Sequence, residues 1–266
     1  MTVLTQHRPA GARLSGDTST SVGKALSLLD AFLGSSVALG VSEIARRAGV
    51  AKSTAHRLLT ILEAHGLVER AGDRWLPGTR LFRIGNAVPI CRPHRLRDQA
   101  LPQMQGLYVD THAMVNLAVL DGTQVLYVDK LASRESIDTP ATVGGCMPIY
   151  CTALGKAMLA YSGPELFDNV VAAGLRPRTT RTITTAGGLA TELGRIRRVG
   201  FALDRQESKV GLACVAAPIL RDGRVLGAIS LSLDARRGLP QQYVARLQRA
   251  VQAISAAVGP DDEVYG

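Results

Sequence analysis

Lys52, Ser53, Thr54, His56 and Arg57 gather an ammonium, two hydroxyls, an imidazole and a guanidinium into one short run. That set suits a polyanion, because Lys and Arg neutralise phosphate while Arg, Ser, Thr and His also hydrogen-bond base edges. Ala55, Leu58, Leu59 and Leu62 interleave at the i, i+3, i+4, i+7 spacing of a helix that faces a core. Lys52, Ser53, His56, Arg57 and Thr60 then point outward. A second run, Thr152-Ala153-Leu154-Gly155, reads as a capped helix start whose free backbone N–H groups favour an anion.

Catalytic and metal patterns are weaker. Gly155-Lys156 suggests a phosphate loop, but Tyr150 stands where that motif needs Gly and Ala157 where it needs Ser or Thr. Cys91 and His94 lack a second ligand pair of matching spacing, so neither a metal nor a cofactor is expected. Cys214 is the candidate nucleophile for a thiol hydrolase, yet no activating partner or nucleophile motif accompanies it. No catalytic residue is expected, and Cys91, Cys146, Cys151 and Cys214 read as free thiols.

The elements that position the cationic run form a helix-turn-helix. A helix from Ala51 or Lys52 to His65 stops at Gly66, and a shorter one before it packs Ile44, Ala45 and Ala48 inward. Ser42 is its expected N-cap, and Gly49 supplies the turn between the two. Val22 to Leu33 reads as an earlier helix with Ala25, Leu28, Leu29 and Phe32 on one face. Leu67 to Arg70 and Arg74 to Leu76 read as a hairpin turning at Gly72-Asp73, which makes the motif winged. Arg70 and Arg74 would meet phosphates there, while Trp75 plugs the core under the wing.

A short helix from Thr79 to Asn86 is expected next, then a helix from about Leu96 to Tyr108 with Pro102 early in it. Strands Ala113 to Leu120 and Gln124 to Leu131 flank an Asp121-Gly122 turn. Thr152 caps a helix to Tyr161, and Pro164 to Ala173 and Leu189 to Val199 give two more. Strands Phe201 to Arg205, Gly211 to Leu220 and Arg224 to Asp234 follow, the last pair turning at Asp222-Gly223, before a closing helix from Pro240 to Val258. The fold class is α+β.

The chain of 266 residues carries a net charge of +9, unevenly placed. Residues 1–100 hold 14 Lys and Arg against 7 Asp and Glu, and residues 101–266 hold 17 against 15. A basic front half on a near-neutral rear half fits a polyanion-binding module joined to a different one. No apolar run approaches a membrane span, and Met1 to Ser21 lacks a signal-peptide layout, so a cytoplasmic protein with no membrane partner is expected.

Five motifs in order give the chain its resemblance to the IclR family of bacterial transcriptional regulators. They are Val41-Ser42-Glu43-Ile44-Ala45, the run from Lys52 to Leu59, the run from Asn116 to Gly122, the run from Pro148 to Ala157, and Cys214 to Pro218. The segment from Ser133 to Gly145 fits that pattern loosely, and Cys146 and Tyr150 depart from it. The resemblance implies an N-terminal winged helix-turn-helix and a C-terminal effector-binding domain of GAF-like topology. It also implies homodimers or homotetramers on palindromic double-stranded operator DNA, with repression the commoner outcome and activation the alternative.

The expected organisation is a disordered tail over 1–21, a DNA-binding domain over 22–83, a linker over 84–97, and an effector-binding and oligomerisation domain over 98–259. Ser42, Lys52, Ser53, Thr54, His56, Arg57, Arg70 and Arg74 are the expected DNA-binding residues. Glyoxylate-binding relatives line their pocket with a helix-start backbone, an Asp, a Cys and two Ser. The resemblance carries those roles to Ala153, Leu154, Gly155, Asp204, Cys214, Ser230 and Ser232, for a small carboxylate effector. On that reading the helix start and the serines bind the carboxylate, and Asp204 accepts from a hydroxyl.

Overall fold

The computed structural model of the protein describes residues 19–35, 37–88, 90, 95–133, 136–137, 139–238 and 240–258. Its contacts group into two compact units, divided in sequence between Cys91 and Arg92. Most of the expected tail, and Cys91 and His94, lie outside the described residues.

The first unit runs α1 (Ser21–Asp30), β1 (Leu39–Gly40), α2 (Val41–Ala48), α3 (Lys52–Ala64), β2 (Val68–Ala71), β3 (Arg74–Pro77) and α4 (Thr79–Asn86). Both helices of the helix-turn-helix end in the same way. Gly49 and Gly66 adopt positive φ (67° and 68°), and the next residue donates back, Val50 N to Ala45 O at 3.0 Å and Leu67 N to Leu62 O at 2.9 Å. A side chain at either position would resist that left-handed backbone. Leu28, Ile44, Ala55, Leu58, Leu59 and Val68 share one core with Trp75, which is buried as expected. The wing is a three-stranded antiparallel sheet in the order β1-β3-β2. Its short β1, absent from the sequence reading, pairs Leu39 with Trp75.

Ser42 is not the N-cap of α2. Gly40 holds that place with extended backbone and no side-chain bond, and Ser42 lies exposed within the first turn. Glu43 instead serves that turn, accepting from Arg46 at 2.6 and 2.9 Å and from Arg47 at 2.7 Å. Those hydrogen bonds hold its carboxyl down at about 2.

The second unit runs α5 (Leu96–Thr111), β4 (Met114–Asp121), β5 (Gln124–Leu131), β6 (Cys146–Pro148), α6 (Ala153–Leu159), α7 (Pro164–Ala173), α8 (Ala186–Val199), β7 (Ala202–Arg205), β8 (Leu212–Arg221), β9 (Arg224–Asp234) and α9 (Val244–Ala257). Its six-stranded antiparallel sheet has the order β6-β5-β4-β9-β8-β7. Helices α5 and α9 pack together and on this sheet, and α6 packs on β7, β8 and β9. Residues Leu212 to Ile219 of β8 are accordingly all buried, with only Leu220 and Arg221 partly exposed, so the strand reads as one apolar run rather than an alternation.

Three expectations need correction here. The β4–β5 turn is Gly122–Thr123, because Asp121 pairs with Gln124. Pro102 lies beyond the first turn of α5, where it removes one intrahelical bond. The closing helix begins as a 3-10 turn over Pro240–Tyr243 before α9. Strand β6 was not foreseen.

Every residue of α6 is buried, including Lys156. Its Nζ lies 2.5 and 2.6 Å from the two carboxylate oxygens of Glu207, which is itself buried. Two charges out of water hold only as a pair, since either alone keeps its full desolvation penalty. Lys156→Met should therefore cost about 3–5 kcal/mol in chemical denaturation. Lys156→Met with Glu207→Met should recover most of that loss; a double variant no more stable than the single one would contradict this account.

Candidate functional site

The first candidate surface is the outer face of α3. Ala55, Leu58, Leu59 and Leu62 are buried, while Lys52, Ser53, His56 and Arg57 are exposed and Thr54 is half-buried. Among the described residues, the side chains of Lys52, His56 and Arg57 make no hydrogen bond or ion pair. The first intrahelical bond of α3 runs from Ala55 N to Ala51 O at 2.9 Å, and no side chain caps the helix. The N–H groups of its opening turn thus face outward with the positive end of the helix dipole.

The two wing arginines are less free. The Arg70 guanidinium stacks 4.5 Å from the Trp75 ring centroid and lies 3.9 Å from Glu63. Arg74 donates to Ala38 O at 3.2 Å. Both side chains remain exposed at the wing, but each is oriented by its own fold.

The second candidate is a cavity in the C-terminal unit, about 350 Å³ with its open mouth included. Sheet register builds its floor. Met114, Ser232, Cys214 and Asp204 pair in one row across β4, β9, β8 and β7, and Asn116, Ser230, Ala216 and Ala202 pair in the next. Residues two apart on a strand share a face, so the polar members of both rows point the same way. The start of α6 forms one wall through Thr152, Ala153 and Leu154. Tyr127, Met147 and Leu212 add apolar surface, and Thr139 to Ala141 complete the lining. Lys130 pins that last segment, donating to Ala141 O at 2.8 Å and Thr139 Oγ1 at 3.3 Å.

Of the residues expected around an effector, Ala153, Leu154, Asp204, Cys214, Ser230 and Ser232 all line this cavity. Gly155 does not. Its N–H is taken by Thr152 Oγ1 at 3.0 Å, and a Cβ there would fall 2.1 Å from Ile149 O, so it serves close packing. The first bond of α6 joins Lys156 N to Thr152 O, leaving the Ala153 and Leu154 N–H groups without an intrahelical acceptor.

Asp204 differs from its expected role. Its Oδ1 accepts from Glu207 N and Ser208 N at 2.6 and 3.4 Å, and its Oδ2 from Ser208 Oγ. It is chiefly the cap of the turn after β7. Burial raises its carboxyl against the opposing pull of those donors and of Lys156.

Asn116 was missed as a site residue. It is buried, its Nδ2 donates to Ser230 Oγ and Ser232 Oγ at 3.2 and 3.3 Å, and its Oδ1 has no partner among the described residues. The available signal was one amide inside the apolar run Val115-Asn116-Leu117-Ala118-Val119.

Burial pushes the Cys214 thiol well above its ordinary range, and Asp204 pushes it the same way. It accepts from Ser232 Oγ at 3.1 Å. Cys151 is pushed up to about 12, mainly by burial. A neutral thiol is the opposite of an activated nucleophile, so the geometry gives the hydrolase alternative no support.

Among known proteins, residues 21–72 match the IclR helix-turn-helix domain, and residues 90–258 match the domain described as bacterial transcriptional regulator IclR C-terminal. The HTH-type transcriptional regulator KdgR of Escherichia coli is 30% identical over 253 residues, covering 92% of this chain and 95% of KdgR. The transcriptional repressor IclR of the same organism is 29% identical over 251 residues, covering 90% of each. The solved structure of an IclR homolog from Microbacterium hydrocarbonoxydans, complexed with 4-hydroxybenzoate, has a TM-score of 0.82 at 26% identity. It is matched over 99% of its length and 90% of this chain.

Alkylation separates the thiols. Native protein treated with iodoacetamide at neutral pH should label exposed Cys146 well before buried Cys151 and Cys214. Peptide mass spectrometry showing Cys214 modified as fast as Cys146 would overturn the picture of an inert cavity thiol.

Proposed function

The chain belongs to the IclR family of bacterial transcriptional regulators, and from that premise we propose that it represses a catabolic operon under the control of a small organic acid. Helix α3 enters the major groove of a palindromic operator. Lys52, Ser53, Thr54, His56 and Arg57 meet bases and phosphates, while Ser42, Arg70 and Arg74 meet the flanking backbone. The observation that carries this reading is the outward cationic face of α3, whose Lys52, His56 and Arg57 side chains have no partner among the described residues. An exposed structural helix commonly ties such charges to its own acidic residues, as α2 does through Glu43.

A palindrome demands two such helices about 34–36 Å apart, and so at least a homodimer. Exposed apolar side chains support self-association. Phe82 and Ile84 of α4 are 72% and 54% exposed, and no residue of that helix is buried.

The cavity supports the sensing half of the proposal. Ala153 N–H, Leu154 N–H and the Ser230 hydroxyl can hold a carboxylate, with Ser232, Cys214 and the apolar walls enclosing its carbon skeleton. The relative with 4-hydroxybenzoate bound supports an acid of that size class. Repression follows the relatives whose names carry it.

Arg57→Ala should weaken operator binding about 5- to 150-fold, the loss of one good base or phosphate contact. Gel shifts measure this, with circular dichroism confirming a folded variant and light scattering counting two or four chains per operator. Unchanged affinity would remove Arg57 from the interface, and one chain per operator would end the dimer proposal. Titration calorimetry with small aliphatic and aromatic carboxylic acids should find at least one that binds. Silence from the whole set would contradict the acid-sensing reading.

A further inference from the structure

We infer that Asn116 selects a hydroxylated acid, its side-chain carbonyl accepting a hydrogen bond from a hydroxyl group on the ligand. This rests on the acid-sensing reading above and names the class of acid. Asn116 lines the cavity and is only 2% exposed. Its two N–H bonds are already assigned, one to Ser230 and one to Ser232 from the neighbouring strand. Its Oδ1 is left as a buried side-chain oxygen with no partner among the described residues.

The rest of the wall is supplied unequally. Groups that can donate to a ligand are present at the α6 start, and Ser230, which accepts from Asn116, keeps its own O–H to give. Acceptors are scarce. Asp204 already takes three hydrogen bonds from its own turn, and Thr152 Oγ1 takes the Gly155 N–H. A carboxylate satisfies the donors but can give nothing to Asn116. A carboxylate without a hydroxyl therefore leaves the amide carbonyl orphaned, as it stands without a ligand. A hydroxy acid fills both requirements, with the carboxylate toward the Ala153 and Leu154 N–H groups and the hydroxyl toward Asn116. A site built around a hydrogen bond discriminates strongly against the analogue that lacks it.

Matched acid pairs test this on the full-length protein by calorimetry: glycolate and acetate, lactate and propionate, 4-hydroxybenzoate and benzoate. Within any pair that binds, the hydroxylated member should bind at least about tenfold tighter. Asn116→Leu should shrink that preference to less than about threefold, the hydroxylated member losing more affinity than the unhydroxylated one. If Asn116→Leu does not fold by circular dichroism, Asn116→Ala, which removes the carbonyl with less added bulk, carries the same expectation. A preference that survives the substitution overturns the inference. So does an unaltered protein that binds both members of a pair equally, or a variant that loses both members by the same factor. That last result would mean the amide faces the carboxylate or only supports the fold. If none of the six acids binds the unaltered protein, the acid-sensing reading falls and takes this inference with it. Binding without hydroxyl preference removes the role of Asn116 alone.

Discussion

The antiparallel register of β4, β9, β8 and β7 is the constraint on which the cavity depends. It sets Asp204, Cys214, Ser232, Ser230 and Asn116 on one face although they come from four strands spread over most of the C-terminal unit. A slip of one residue in any pairing would carry a strand's polar side chains to the opposite face. On β4, β8 and β9 they would turn toward α5 and α9, which pack on those strands. The fold therefore cannot form in the wrong register without burying unpaired polar atoms, and the correct one concentrates them.

Concentrated polar atoms need partners, and nearly all of them have one. Lys156 closes on Glu207, Glu207 N–H and Ser208 close on Asp204, and Thr179 and Thr182 bond the carbonyls of Gln206 and Glu207 at 2.7 Å. These bonds make the turn after β7 a fixed wall, set by the same charges that would be costly if separated. Against that closed background the few open positions stand out: the opening N–H groups of α6 and the Asn116 carbonyl. In the N-terminal unit the pattern is similar. The arginines of α2 are tied to Glu43 and those of the wing to Trp75, Glu63 and Ala38, whereas the cations of α3 have no partner among the described residues.

Much of this was legible in the chain. The helix period exposed α3 and its two faces, Gly49 and Gly66 marked its limits, and Pro164, Thr152 and Asp222-Gly223 marked later elements because their local chemistry is nearly self-sufficient. Strands β1 and β6, with two and three residues, carry too few positions for an alternation and exist only through their partners. Ser42 looked like a cap because its type suits one, but the chain enters α2 two residues earlier. Asp204 and Cys214 were reached through the family resemblance. What their neighbours ask of them was not, because Glu207 and Ser208 meet Asp204 only once the turn is folded. Asn116 and Lys156 find partners 114 and 51 residues away. A lone amide in an apolar strand and a lone lysine in an apolar helix were the visible traces of both.

If the cavity governs the DNA-binding helix, occupancy at one must change affinity at the other, and by linkage the reverse must hold. Fluorescence anisotropy of a labelled operator, titrated with protein in the presence and absence of a saturating acid already known to bind, measures that coupling. The account predicts a shift of about 5- to 150-fold in the operator midpoint, abolished when the cavity is blocked. Identical operator curves with the acid demonstrably bound would contradict it, leaving a DNA-binding unit and an acid-binding unit that share a chain and nothing else.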